Sequence, residues 1–141
     1  MGKYNCLAAR CPSRKVLAYI SDKWTVMVLV VLIDGTQRFN ELRRRVQGIT
    51  QKMLTRTLRD LEENGIVSRR IYAEVPPRVE YTLTPLGHSL VKVVDTVRDW
   101  ANQHAGDVLA ARERFEKERA ARAASEKRGS GARARSARAT A

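Results

Sequence analysis

Hydrophobic residues recur at helical spacing in several segments of the chain before residue 104. Residues 11–13 (Cys-Pro-Ser) favour the start of a first helix, because proline is tolerated at the first helical position. Residues 21–22 (Ser-Asp) offer an N-cap for a second helix. The apolar run that follows, residues 24–33, is ambiguous, since its β-branched residues favour a strand while its length favours a helix buried on most sides.

Two more helices are predicted on either side of a glycine-containing turn. The first covers residues 40–46, and the second covers residues 51–64, with Thr50 as its N-cap and Gly65 as its C′ residue. The apolar stripe of the second helix consists of Met53, Leu54, Leu58 and Leu61. The opposite face of that helix is polar and basic. A helix, a tight turn and a second helix with such a free face are typical of a helix-turn-helix.

A β-hairpin is predicted after this pair of helices. Its strands are residues 67–73 and 79–84, both rich in residues that favour strands. The second strand alternates, with inward positions at Val79, Tyr81 and Leu83. The loop between the strands contains two prolines, which lack the N–H group that would extend the ladder, and it ends at Arg78. Together these elements predict a mainly α fold with a small β-hairpin wing (α+β), a winged helix-turn-helix.

A long helix is predicted from Pro85 onward, with Thr84 as its N-cap. Its apolar residues recur in steps of three and four, a heptad-like stripe that is too long for one small domain to cover. We therefore expect this stripe to pack against a second copy of the chain, so that the protein is a homodimer. The dimer-interface residues expected from the stripe are Leu86, Leu90, Val93, Val97 and Trp100.

The net charge of +12 at pH 7 predicts a polyanionic partner. Half of that excess lies in residues 117–141, which hold 8 basic and 2 acidic side chains and no large apolar residue. We expect this segment to be a frayed helix end that runs into a disordered basic tail. The predicted division is thus a flexible N-terminal segment (1–10), a folded domain (11–116) and the tail (117–141).

The sequence also suggests where the protein acts. Its longest apolar run, residues 24–33, is about half of the ~20 residues needed to cross a bilayer. The first residues lack the pattern of a signal peptide. A cytoplasmic protein without a membrane association is therefore expected.

Several short motifs occur in the order found in one family of regulators. They are residues 11–12, 22–24, 38–42, 48–54, 58–62, 65–67 and 75–84. Over residues 11–100 the chain resembles the HxlR-type bacterial transcription regulators. The resemblance implies a dimeric winged helix of the MarR-like kind, which dimerises through its terminal helices. It also implies that residues 24–33 are helical and that residues 51–64 form the helix that enters the major groove.

The resemblance gives a role to the polar side chains of the helix-turn-helix and the wing. A helix whose N-terminus enters the major groove places its first turns near the bases, while flanking arginines meet phosphates or the minor groove. The predicted DNA-binding residues are Arg38, Arg43, Arg44, Thr50, Gln51, Lys52, Thr55, Arg56 and Arg78. The expected partner is double-stranded DNA with a pseudopalindromic operator.

The chain has two cysteines, Cys6 and Cys11, too few for a disulfide framework and not spaced like a zinc site. Cys11 precedes the first helix, whose dipole, together with Arg10, Arg14 and Lys15, favours the thiolate. Several members of the resembled family sense oxidants or electrophiles through a cysteine at this position. The resemblance therefore implies a sensor role for Cys11, with Cys6 as the second thiol. The alternative is a small capping residue without a signalling role.

Two functions of different classes remain open from the sequence. In the first, the protein is a sequence-specific transcriptional regulator, for which we expect a repressor. Its affinity for DNA would respond to redox or electrophile chemistry or to a small ligand. In the second, it is a nonspecific architectural or protein-interaction module in which the basic tail does most of the binding. The sequence contains no catalytic constellation, metal-ligand motif or glycine-rich phosphate loop, so neither an enzymatic activity nor a cofactor is expected.

Overall fold

The structure is a computed structural model that describes the backbone of residues 4–139 and the side chains of residues 4–18 and 21–126. The contacts divide the chain into an N-terminal unit, Met1–Arg98, and a C-terminal unit, Asp99–Ala141. The elements follow in the order α1 (Pro12–Ser21), α2 (Lys23–Leu32), β1 (Gln37–Arg38), α3 (Phe39–Arg45), α4 (Gln51–Glu63), β2 (Val67–Tyr72), β3 (Arg78–Leu83) and α5 (Pro85–Ala139). This mainly helical arrangement with a small antiparallel sheet confirms the predicted winged helix-turn-helix.

α2 forms the centre of the core of the N-terminal unit. The Asp22 carboxylate caps it by accepting a hydrogen bond from the backbone N–H of Thr25 at 2.9 Å. Val28, Leu29 and Leu32 are fully buried on one face and pack against α3, α4 and the sheet. Residues 24–33 are thus helical as far as Leu32, because burial of this face outweighs the preference of the β-branched residues for a strand.

α4 packs its apolar face against α2 and β2. Leu54, Leu58 and Leu61 are buried, and Thr57 completes the i, i+3, i+4, i+7 set on that face. The expectation that Met53 belongs to this stripe is wrong, because its side chain is 37% exposed. Met53 lies about 100° around the helix from Leu54, on the side that turns toward solvent.

The sheet has the order β1-β3-β2, with both pairs antiparallel. The hairpin β2–β3 was predicted, and the inward alternation of its second strand is confirmed by the burial of Tyr81 and Leu83. β1 was not predicted, since two residues are too few to produce a periodic pattern. It pairs Gln37 with Tyr81 and Arg38 with Glu80, which joins the start of α3 to the wing.

The start of α5 is fixed to the turn that follows α4. Thr84 is the predicted N-cap: its hydroxyl accepts a hydrogen bond from Gly87 N at 3.1 Å and donates one to the Gly65 carbonyl at 2.6 Å. Its backbone N–H donates to the Ile66 carbonyl at 3.1 Å. A Cβ atom at Gly87 would lie 2.2 Å from that same Ile66 oxygen. The close approach of α5 to this turn therefore requires glycine.

The C-terminal unit, described by itself, is helical through Ala139. Residues 117–139 are helical where the sequence was expected to fray into a disordered tail. The composition gives the reason, because alanine, arginine, lysine and glutamate are all strong helix formers. The domain boundary at residue 116 stays a prediction. Across residues 4–139, no helix is long and apolar enough to cross a bilayer.

Gly87 and Gly106, two of the glycines inside α5, provide a matched pair of substitutions. We expect Gly87→Ala to lower the free energy of unfolding by about 1–3 kcal/mol, because the added methyl group overpacks the contact with Ile66. A methyl group added at Gly106 would have no atom within 4 Å, so Gly106→Ala should instead raise helix stability by about 0.5–1 kcal/mol. Urea unfolding followed by circular dichroism measures both changes. Equal unfolding midpoints for Gly87→Ala and the unmodified protein would contradict the close approach.

Candidate nucleic-acid interface

The helix-turn-helix consists of α3, a turn over residues 46–50, and α4. Leu42 and Val46 bury the inner face of α3, and Gly48 adopts the left-handed backbone conformation (φ +84°) that reverses the chain. The Thr50 hydroxyl accepts a hydrogen bond from the backbone N–H of Met53 at 3.2 Å. Thr50, a predicted DNA contact, therefore also caps α4 and fixes where that helix begins.

The first two turns of α4 present a polar face to solvent. This face, called here the recognition face, consists of Gln51, Lys52, Thr55 and Arg56, all of them exposed. It lies opposite the buried leucines, so its direction is set by the packing of the helix on the core. The Thr55 hydroxyl donates to the Gln51 carbonyl at 2.8 Å and keeps its oxygen free to accept a hydrogen bond. All four side chains are of the kinds that read base edges.

The cations near this face fall into two groups. Arg43, Arg44 and Lys52 are exposed and form no ion pair with any residue whose side chain the structure describes. In contrast, Arg45 pairs with Asp34, and Arg59 pairs with Glu63 at 2.9 Å. The unpaired cations are on α3 and at the start of α4, where they are available to phosphate groups.

Arg56 has an intermediate position between these groups. Its Nε lies 3.9 Å from the Asp60 carboxylate one turn further along α4, and its side chain is 85% exposed. It borders a cleft of about 360 Å³ that is also lined by Asp22, Trp24 and Met53. A pair this exposed contributes little to stability, so the guanidinium can exchange Asp60 for a base edge.

Two predicted DNA-binding residues, Arg38 of β1 and Arg78 of β3, converge on one carboxylate. In Glu80 of β3, Oε1 lies 3.8 Å from Arg38 Nε and 3.5 Å from Arg78 Nε. Arg78 also pairs with Glu74 at 3.0 Å, and its guanidinium lies 4.0 Å from the centre of the Tyr72 ring. Both arginines are therefore engaged within the wing, and their contact with DNA stays a prediction.

The sequence did not reveal which groups Arg38 and Arg78 contact. These two arginines form, with Tyr72, Glu74 and Glu80, what is called here the wing cluster. Arg78 and Glu80 are two residues apart in a strand and so lie on one face, a spacing that could have indicated the pair.

The Tyr81 side chain, on the same strand, faces the opposite way, into the core. Burial raises the pKa of the Tyr81 phenol above its ordinary value, against the opposing effect of nearby Arg69.

Cys11 lies immediately before α1, as predicted. Its Sγ is 3.0 Å from the Ser13 hydroxyl, and its carbonyl accepts a hydrogen bond from Arg14 N at 3.1 Å. The side chain is partly accessible, while Cys6 is exposed, and both are free thiols. The structure thus places Cys11 at the positive end of a helix dipole and within reach of reagents.

Most of the predicted dimer residues are not covered within one chain. In the N-terminal unit, Leu86, Val93 and Val97 are exposed, as is Val16 of α1. Leu90 differs, because it is half-buried and packs against the core. In the C-terminal unit, the Trp100 side chain is also exposed. The exposed apolar surface agrees with the expected interface, although the interface itself stays a prediction.

Comparisons with known proteins identify the group to which this fold and this helix-turn-helix belong. A family model described as HxlR-like helix-turn-helix matches residues 19–108. The uncharacterised HTH-type transcriptional regulator YtfH of Escherichia coli (strain K12) is 44% identical over 109 residues, which cover 77% of this chain and 86% of that protein.

Two solved structures share the fold. A putative transcriptional regulator, ytfH from Salmonella typhimurium, superposes with a TM-score of 0.74 at 45% identity, covering 79% of this chain and 99% of that one. The redox regulator HypR in its oxidised form gives a TM-score of 0.61 at 45% identity, covering 66% of this chain and 96% of that one. These relatives are transcriptional regulators and not enzymes. The chain belongs to the HxlR-like helix-turn-helix family.

Proposed function

We propose that the protein is a sequence-specific, double-stranded-DNA-binding transcriptional regulator that acts in the cytoplasm as a repressor. The observation that carries this proposal is the recognition face: four exposed side chains able to form hydrogen bonds, on the first turns of a helix whose other face is buried. A side chain reads a base pair only when its helix is held in a fixed direction, and the burial of Leu54, Leu58 and Leu61 provides that constraint.

The unpaired cations beside the recognition face support separate roles for phosphate-binding and base-reading side chains. Arg43 and Arg44 would bind phosphates and set the position of the helix in the groove, whereas Gln51, Lys52, Thr55 and Arg56 would read bases. The competing proposal, a nonspecific module driven by the basic residues 117–141, predicts affinity without discrimination between sequences. Comparison of a cognate fragment with a scrambled one therefore separates the two.

A homodimer supplies the second recognition helix. The exposed apolar residues Leu86, Val93 and Val97 of α5, with Val16 of α1, offer a surface that a second copy would cover. Two recognition helices related by a two-fold axis would bind half-sites about one DNA turn (~34 Å) apart, so the operator should be pseudopalindromic. Mass measurement by sedimentation checks the assembly directly.

The regulatory signal proposed is oxidation or electrophile modification of Cys11. Its position at the start of α1 and its access to solvent favour such chemistry, and one structural relative is a redox regulator. Because α1 carries part of the exposed apolar surface, modification at its first turn would alter the dimer and hence the spacing of the recognition helices.

We expect Arg56→Ala and Arg44→Ala to affect DNA binding in different ways. Arg56→Ala should reduce discrimination at one base pair by about 1–3 kcal/mol if the guanidinium makes a bidentate contact. Arg44→Ala should weaken binding to all sequences alike and reduce the slope of log affinity against log salt by about 0.9. Fluorescence anisotropy with operator and scrambled duplexes measures both effects.

The control for this pair is Arg59→Ala on the same helix, because Arg59 is already paired with Glu63. It should leave both discrimination and slope near their original values. If Arg56→Ala and Arg44→Ala lower the affinity for every sequence equally, Arg56 does not read a base.

We expect oxidation to change operator affinity through Cys11. Diamide treatment should alter the affinity of the unmodified protein, while Cys11→Ser should keep its reduced-state affinity, because it lacks the thiol that is oxidised. Restoration by dithiothreitol shows that the change is reversible. Cys6→Ser is the matched variant, and it tests whether the second thiol is needed. If Cys11→Ser responds to diamide as the unmodified protein does, Cys11 is not the sensor and a noncovalent effector explains regulation better.

A further inference from the structure

The wing carries several arginines, yet its cations are engaged by acidic or aromatic partners in the wing and α4. Arg69 pairs with Glu62 at 3.4 Å, and the Arg70 guanidinium lies 5.0 Å from the centre of the Tyr72 ring. Arg78 lies on the other side of that cluster and is held by Glu74 and Glu80. The loop tip, in contrast, is apolar, with Val75 fully exposed beside two prolines.

Glu80 is the centre of this arrangement because it lies on the middle strand of the sheet. Its register partners are Arg38 on β1 and Arg70 on β2, and Arg78 precedes it by two residues on the same face. The Glu80 side chain is only 20% exposed and that of Arg78 is 29% exposed, whereas Arg38 is 55% exposed. Partial burial reduces solvent screening, so the attraction between Glu80 and Arg78 is stronger than that in surface pairs such as Arg56–Asp60, while Arg38 is the more exposed member of the cluster.

The contrast with the helices indicates what the wing cluster does. Arg43, Arg44 and Lys52 have no acidic partner among the described side chains, whereas Arg38, Arg69 and Arg78 do. A phosphate group that binds Arg38 or Arg78 would lie near the negative charge of Glu80, which would weaken that binding. The wing therefore has fewer available cations than its sequence suggests.

We propose that Glu80 is a positioning residue that withholds Arg38 and Arg78 from DNA phosphates and so limits the sequence-independent part of DNA affinity. The inference rests on the proposed DNA-binding function. Affinity for DNA is then concentrated in the helix-turn-helix, where base contacts are made. Nonspecific DNA, which is in large excess in a cell, competes less well as a result.

The test substitutes Glu80→Gln, which keeps the shape of the side chain and removes its charge. One additional phosphate contact steepens the slope of log affinity against log salt by about 0.9, which corresponds to roughly fivefold tighter binding at 0.15 M salt. We expect Glu80→Gln to bind a scrambled duplex more tightly by about that factor, with the steeper slope. Adding Arg38→Gln should return both values to those of the unmodified protein, because Arg78 stays paired with Glu74 and only Arg38 is released.

Two control variants distinguish the effect of Glu80 from that of net charge and from that of Glu74. Glu113→Gln makes the same change in net charge at a position with no ion pair to any described side chain, and it should leave the slope unchanged. Glu74→Gln removes the other partner of Arg78 and leaves Glu80 in place, so it should leave the slope unchanged. If Glu80→Gln does not fold, Glu80→Thr removes the same charge with a residue that favours strands. Thermal unfolding of each variant shows which of them fold.

The proposal is overturned if folded Glu80→Gln, or Glu80→Thr in its place, binds scrambled DNA with an unchanged or shallower salt dependence. That result would mean that the cluster serves the stability of the hairpin alone. Failure of the proposed function looks different, because the unmodified protein would then not distinguish operator from scrambled DNA, whatever the slopes of the variants.

Discussion

The burial of the apolar face of α4 against α2 is the interaction on which the rest of this structure depends. Leu54, Leu58 and Leu61 are fully buried, so the recognition face on the opposite side of α4 points toward solvent. The cap at Thr50 and the left-handed glycine at position 48 fix where the helix starts. A helix held in this way presents its first turns as a rigid surface, which a base-reading contact requires.

Electrostatics divide the DNA-facing surface into two parts that the net charge of the chain does not distinguish. On the helices, Arg43, Arg44 and Lys52 lack acidic partners among the described side chains. In the sheet, Glu80 forms ion pairs with Arg38 and Arg78. Counting basic residues therefore overstates the attraction between the wing and phosphates. The location of the carboxylates decides which cations are available.

Much of this fold could be predicted from the sequence, because its signals are local. The caps at Asp22, Thr50 and Thr84 and the alternation in β3 are each visible within a few residues. The helical conformation of residues 24–33 could be predicted only from the family resemblance, because the β-branched residues of this segment favour a strand and tertiary packing favours the helix. The remaining features depend on contacts between distant segments. The two-residue strand β1 exists because β3 pairs with it, and the convergence of Arg38 and Arg78 on Glu80 follows from that pairing. No periodicity of a single segment contains this information.

The central claim is that two copies of the recognition helix read one specific DNA sequence. A nuclease footprint of the purified protein on the DNA flanking its own gene, at about 0.15 M salt, tests it most directly. The account predicts two protected half-sites whose centres lie about 10 base pairs apart, with protection that a scrambled competitor duplex does not remove. Uniform protection along the fragment, or protection that the scrambled duplex removes as readily as the cognate one, would contradict it.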